Sequence, residues 1–432
     1  MHFTGSKAFN VLWLSQALSL LGSGMTRFAL LIWAFEQAGT ATALALLGFS
    51  ITITFVIASP FAGVLVDRWD RRRVMLFADL GSGVMTALVL LLYALGGLQL
   101  WHLFLLQAVA GALEAFQEPA FSASVSLLVP RDSYTRANAR LGLGKSAARI
   151  LAPAFAGLLL QLSGLQVVML FDLFTMSLAL IALFLLRIPV PPVSVEGRGL
   201  QREPFTRQLL FGFRYIINRP GLRGLLFIFF LINLFATISY FAVLSPMILA
   251  RMGGDELALG TVRTVMGIGG IAGGLVISAW GGPRRKAHAF ALFTLLSFLF
   301  GDFLFAIGRS TVGWALAGFI ADFTIPFIVS PYYALWQEQV PQDVQGRVFA
   351  TREMAQVTSQ PVGYLAGGLL ADHLFEPALQ PGGVLAGSAG LLVGTGPGTG
   401  MSAMFLCTAL LGMLTGLLAL LSPAIRRLDE DS

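Results

Sequence analysis

Apolar positions in this chain neither alternate with polar ones nor recur only every third or fourth residue. They form nearly unbroken runs of about 20 or more residues, long enough to cross the hydrocarbon of a bilayer as helices. A period of two would suggest the strands of a barrel; continuous runs point to helices, which satisfy their own backbone in lipid. Twelve spans are predicted, at 9–35, 41–66, 74–96, 98–128, 139–162, 165–188, 221–250, 256–280, 285–308, 311–336, 348–371 and 400–421. The first is longer than a signal-peptide core and lacks a convincing cleavage pattern, so it is expected to be retained.

Composition agrees. Of 432 residues 56% are hydrophobic and only 12% charged, too few charges to coat a water-soluble fold of this size. The net charge of +6 is unevenly placed. Basic residues gather at the N-terminus, in the C-terminal tail and after spans 2, 4, 6, 8 and 10, whereas Arg251 and Arg309 fall in the opposite loops. This bias predicts a multi-pass protein of the cell (inner) membrane with both termini cytoplasmic. It also accounts for the positive charge without a nucleic-acid partner. The single cysteine, Cys407, excludes an intrachain disulfide.

Residues 189–220 break the apolar pattern with "PVPPVSVEGRG" and then "PFTRQLLFGFRYIINRPG". In the second stretch Leu209, Leu210, Phe213 and Ile217 recur at helical spacing, which predicts a short amphipathic helix on the cytoplasmic face. The chain is therefore expected to divide into a six-helix bundle at 1–188, a linker at 189–220 and a second six-helix bundle at 221–432. The halves also repeat. One offset of 211 residues relates Gly63 to Gly274, Pro130 to Pro341 and Arg136 to Arg347. Six spans is an even number, so both halves share one orientation, the parallel repeat that places a site between halves.

"GVLVDRWDRRR" resembles the loop signature G-x-L-x-D-R-x-G-R-R/K of the major facilitator superfamily, with Gly63, Leu65, Asp67, Arg68, Arg71 and Arg72 in register. Asp70 stands where that signature has glycine, so the turn here is built differently. Together with "LVPRDSYTRANAR" and "VPQDVQGRVFA", it looks most like the exporter branch that contains enterobactin and macrolide exporters. The resemblance implies an all-α polytopic membrane protein of twelve transmembrane helices in two pseudo-symmetric bundles, the major facilitator fold. It implies a central cavity lined by spans 1, 4, 7 and 10. It also implies a gate in which Gly63, Asp67, Arg68, Arg71 and Arg72 take part, with Asp67 meeting the start of span 11.

Two motifs mimic nucleotide sites. "ARLGLGKS" (139–146) fits a relaxed phosphate loop, and "GIGGIA" (267–272) a dinucleotide loop. Neither follows a strand, and both fall within membrane spans, where helix formation consumes the backbone amides. Gly269 with Gly273 and Gly270 with Gly274 are better suited to close helix packing. Histidines 2, 102, 288 and 373 form no metal-spaced pair, and no nucleophile elbow is present. No enzyme activity, metal, cofactor or nucleotide is expected.

Ionisable residues within spans are costly and mark function by default. Glu114 and Glu118 lie four apart on span 4, and Lys145 and Arg149 four apart on span 5. At about 1.5 Å per residue, Glu118 and Lys145 both lie roughly 15 Å from the same membrane face, and Glu114 and Arg149 roughly 21 Å. Two rungs follow, Glu118–Lys145 and Glu114–Arg149. They serve proton coupling or substrate binding, or simply join the two helices. Arg27 and Asp172 match in depth and are expected to pair, Asp322 is expected to face the cavity, and Asp79 to support the arginine-rich loop. Phe116, Trp33, Phe235, Tyr240, Phe323 and Tyr332 suit a bulky apolar ligand. Pro153, followed by Gly157, offers a hinge in span 5, where drug–proton antiporters carry a glycine-rich signature that is here mostly alanine (Ala148, Ala152, Ala156).

These features predict a secondary active transporter, monomeric, in the lipid bilayer. Its expected action is proton-coupled efflux of a bulky amphipathic small molecule (drug, siderophore or secondary metabolite) by alternating access. Lipid or lysolipid translocation, or solute uptake, is the alternative that the same fold allows.

Overall fold

The structure, a computed structural model, describes residues 5–38, 41–192, 194–195, 198 and 203–430. Long helices carry the chain: α1 Gly5–Ala38, α2 Ala41–Arg68, α3 Arg71–Ala94, α4 Leu100–Leu128 and α5 Tyr134–Leu185. They continue with α6 Pro220–Arg251, α7 Glu256–Trp280, α8 Lys286–Ile307 and α9 Thr311–Gln339. The last two are α10 Gln345–Leu370 and α11 Thr399–Leu421. Among the described residues nine helices are long and apolar enough to cross a membrane. The twelve predicted spans are thus not met one for one, for two reasons. α4 and α10 fall outside the nine; they carry Glu114 and Glu118, and Arg347, Arg352 and Glu353. Spans 5 and 6 merge in α5, whose backbone leaves the helix at one residue, Gly164, with φ 79° and ψ 176°. That angle needs glycine.

The chain forms two compact units, Met1–Ile216 with Val340–Met354, and Ile217–Gln339 with Ala355–Ser432. The segment predicted as a linker belongs, through Ile216, to the first unit. So do the opening turns of α10.

Within the first unit α1 and α5 meet along a stripe of small residues one turn apart. Ala148, Ala152 and Ala156 are buried there. A Cβ on Gly144 would stand 3.0 Å from Ala17, and one on Gly24 3.0 Å from Ala152. α2 and α4 close on Gly111, where a Cβ would come within 2.2 Å of the Ile51 carbonyl oxygen. In the second unit Gly269 and Gly273 of α7 press on the backbone of α9, and a Cβ would reach within 2.3 Å and 2.1 Å of the Phe319 and Phe323 oxygens. Lipid leaves no hydrophobic force between helices, so contact through small residues must supply the attraction.

The second unit also has three π-helical turns, Thr237–Val243 in α6, Phe298–Asp302 in α8 and Ala371–Phe375 after α10. Its core holds Trp314, Phe305, Phe405, Met247 and Met404.

The amphipathic segment is two short helices, Phe205–Leu209 and Phe211–Ile217. The face turned inward is not the predicted stripe. Gln208, Gly212, Tyr215 and Ile216 are buried, while Leu210 and Ile217 are exposed. Gly212 makes this possible: a Cβ would lie 2.0 Å from the Thr351 hydroxyl and 2.5 Å from the Arg347 oxygen.

Candidate functional site

At the arginine-rich end of α2, Asp67 is buried against the first turn of α10. Its Oδ1 accepts from the Gly346 amide at 2.6 Å, and its Oδ2 from the Arg347 amide and Nη1, both at 3.0 Å. Asp67 therefore caps α10 from another helix, answering amides that the helix leaves free. The contact falls one or two residues before the expected 348–352. Two glycines permit it. A Cβ on Gly63 would lie 2.8 Å from the Arg347 Cα, and one on Gly346 2.5 Å from Asp67 Oδ1.

The arginines divide the work. Arg71, buried, donates to the Ala123 carbonyl at 2.8 Å and to the Gln342 carbonyl. Arg72 donates to the Leu183 and Phe184 carbonyls, at the last turn of α5. A cation there answers the free carbonyls of a helix end. Arg68 donates to Gln208 Oε1 at 3.0 Å, an oxygen that also accepts from Arg347 Nη2 at 3.1 Å. Gln208 thus joins two like charges, a role the sequence does not announce, because glutamine in a linker carries no motif. Asp70, the departure from the signature, caps α3 by accepting from the Arg72 and Arg73 amides at 2.8 and 3.3 Å. A side-chain cap replaces the glycine turn.

Deeper in the same unit α1, α3, α4 and α5 enclose a cavity of about 210 Å³. Glu118 and Lys145 pair in its lining, with Nζ 2.9 Å from both carboxylate oxygens. The other expected rung is absent. Glu114 approaches Arg27, at 3.9 Å, while Arg149 is exposed and forms no ion pair among the described residues. The face of α5 that carries the Ala148, Ala152 and Ala156 stripe is committed to α1. Arg27 of α1 thereby stands next to α4. Asp172, expected to pair with Arg27, is held instead by the Ser23 hydroxyl at 2.9 Å and the Thr86 hydroxyl at 3.2 Å. Asp79 does not reach the arginine loop. It accepts from Gln16 Nε2 at 2.8 Å, and Gln16 Oε1 accepts from Gln117 Nε2 at 3.2 Å, a polar chain across α3, α1 and α4. Depth matching located the ionisable residues, but it could not tell which neighbour each faces.

The lining carries four carboxylates, Asp79, Glu114, Glu118 and Asp172, against Arg27 and Lys145. The excess is acidic. The remainder is largely apolar, including Leu20, Leu30, Met85, Leu103 and Phe121. A pocket of this kind favours a ligand with an apolar body and a positive group.

Pro153 and Gly157 lie half-buried in a helix that stays continuous through both; the break is at Gly164. Asp322 is in the second unit, half-buried on α9 beside Gly270, and close enough to Arg263 and Tyr240 to act on them electrostatically. Most of the proposed ligand aromatics serve packing. Tyr332 stacks on Phe229 at 3.9 Å, Phe235 meets Phe298 edge-on, and Phe116 meets Phe77 edge-on.

The chain matches the family model described as Major Facilitator Superfamily over residues 12–364. It is similar to macrolide efflux protein A of Streptococcus pyogenes, 24% identical over 371 residues that cover 85% of this chain and 90% of that protein. It is also similar to the multidrug efflux pump Tap of Mycolicibacterium fortuitum, 26% identical over 424 residues that cover 95% and 94%. Among solved structures it resembles a bacterial homologue of the iron transporter ferroportin in an outward-facing state, with a TM-score of 0.66, 17% identity and coverage of 95% and 99%. The fucose:proton symporter FucP of E. coli gives a TM-score of 0.64 at 13% identity, covering 94% and 98%. At these identities the structural likeness concerns the fold alone.

Proposed function

This chain belongs to the Major Facilitator Superfamily, and we propose that within it the protein is a proton-coupled exporter of cationic amphipathic small molecules. The observation that carries the reading is the cavity of the first unit. In a chain with so few charges, it gathers four carboxylates and two basic groups beside an apolar wall. Relatives named as macrolide and multidrug efflux pumps support export.

The chemistry is exchange rather than catalysis. A cationic ligand competes with Arg27 for Glu114 and with Lys145 for Glu118. Both pairs are partly exposed, with Glu114 and Glu118 side chains 40% and 32% accessible, so displacing the resident cation costs little. A proton on either carboxyl removes the attraction and releases the ligand. The Asp67 cap on α10 is the latch of the alternating-access cycle, and breaking it returns two amides and a buried arginine to water.

The test is uptake of a cationic amphipathic dye, and of a macrolide, into inverted membrane vesicles with an imposed proton gradient. Accumulation is expected to collapse when the gradient is dissipated, and to be lost in Glu114→Gln and Glu118→Gln. Accumulation that survives dissipation rejects the coupling. Failure of both compounds to accumulate rejects the proposed substrate class.

A further inference from the structure

Outside the first unit's cavity lies another intramembrane acid. Asp302 lies in the second unit, in the π turn of α8, and is 1% exposed. Tyr240, in the π turn of α6, donates its hydroxyl to Asp302 Oδ1. Thr408 of α11 lies 3.0 Å from Oδ2, and Ser239 of α6 3.4 Å from it. Among the described residues Asp302 forms no ion pair. Its surroundings are aromatic: the Tyr240 ring meets Phe305 and Phe405 edge-on at 5.7 and 5.6 Å.

Charged groups on the neighbouring elements are few. α11 has none, and its one titratable residue, Cys407, is exposed. α9 contributes Asp322, another acid. Arg263 of α7 is directed elsewhere, to the Tyr240 carbonyl at 3.1 Å and Ser245 Oγ at 2.9 Å. Lys286 and His288 stand at the far start of α8, three or more turns away.

The hydrogens can be counted. Three short oxygen–oxygen contacts meet at Thr408 Oγ1: to Ser239 Oγ at 2.7 Å, to Asp302 Oδ2 at 3.0 Å and to the Phe405 carbonyl at 3.1 Å. Ser239 and Thr408 bring one hydroxyl hydrogen each, and the carbonyl brings none. Two hydrogens serve three contacts only if one of them is shared. A proton on Oδ2 gives each contact at Thr408 its own hydrogen: Asp302 donates to Thr408, Thr408 to Phe405, and Ser239 to Thr408, with the longer Ser239–Oδ2 approach at 3.4 Å left over. Without it, Thr408 divides its hydrogen between Oδ2 and the Phe405 carbonyl, and a full charge lies in hydrocarbon with no counter-ion, which is the costlier arrangement.

We propose that Asp302, with Tyr240, Ser239 and Thr408, is a proton-binding site of the second unit, separate from the charged cavity of the first. The proton is taken from water and returned to water, with no other bond changed. Its loss removes a hydrogen bond from the seam of α6, α8 and α11 where two π turns meet. Irregular turns of this kind recur at functional positions in helices. Its part in transport rests on the proton coupling proposed above; its existence does not.

The experiment uses the full chain in lipid nanodiscs. Infrared difference spectra between mildly acidic and alkaline buffer should show a protonated-carboxyl band that is lost on the alkaline side. In Asp302→Asn, which can still accept from Tyr240 and donate to Thr408, that band should be missing while the melting temperature is kept. Thr408→Val, which retains the acid, should shift the pH midpoint of the band. A band unchanged in Asp302→Asn, or a midpoint unmoved in Thr408→Val, overturns the site. In vesicles Asp302→Asn should lose gradient-driven accumulation but keep exchange of preloaded dye. If the band behaves as expected and accumulation is unaffected, the site stands as a proton site and its role in coupling is overturned.

Discussion

At the scale of single residues, the proposed latch is an interaction between a carboxylate and two backbone amides, and the ion pair is added to it. Asp67→Asn keeps one acceptor but loses the charge, a change that costs about 1–2 kcal/mol at a buried cap. Gly346→Ala should be at least as harmful, because its Cβ would stand 2.5 Å from Asp67 Oδ1. Both are expected to lower the melting temperature of the detergent-solubilised protein and to slow dye export severalfold. Arg347→Lys, which keeps the amide, should be milder. Equal effects for all three would show that the side-chain pair, not the cap, holds the contact. The residues of this contact were legible because they carry a signature. Glu118 and Lys145 were legible by depth. The partner of Glu114 was not, since depth fixes a residue's height and says nothing of its azimuth. Gln208, Gln16 and Gln117 were invisible for another reason: neutral amides carry no charge penalty that would make them conspicuous in an apolar run.

Between elements, small residues decide which helices touch. The stripe of Gly144, Ala148, Ala152 and Ala156 on α5 receives α1, and Gly269 with Gly273 on α7 receives α9. Ala152→Leu should overpack the first seam at a cost of about 1–3 kcal/mol, whereas Ala152→Gly should be tolerated. Gly273→Leu should be worse, because its obstacle is backbone, the Phe323 oxygen, and not a movable side chain. Melting temperatures of the three variants check this; a Gly273→Leu protein as stable as the parent would show that α7 and α9 can separate freely. The helical runs themselves were plain from hydropathy. Their exact number was not, because Gly164 turns the chain in one residue. Nor does hydropathy predict the inward face of 205–217, where a close backbone approach at Gly212 and the bond-forming Gln208 outweigh the apolar stripe of Leu210 and Ile217.

For the whole molecule, the distribution of basic residues predicts one orientation. In a Cys407→Ser background, Ser310→Cys should react in intact cells with a membrane-impermeant thiol reagent, and Asp132→Cys only after the cells are opened. The reverse pattern would invert the topology. The offset of 211 residues relates the two halves in sequence, and both bury an acid among hydroxyls of their first, third and sixth spans. The acid has changed helix, however. In the first copy it is Asp172 of the sixth span, with Ser23 and Thr86 on the first and third. In the second it is Asp302 of the third, with Ser239 and Tyr240 on the first and Thr408 on the sixth. Asp172 lines a cavity, whereas Asp302 is sealed among aromatic rings. The sequence repeat has therefore not left the halves interchangeable. A tandem of two first halves would inherit two such acids beside cavities and none packed among aromatic rings, and no amount of sequence likeness between the copies would restore the missing one.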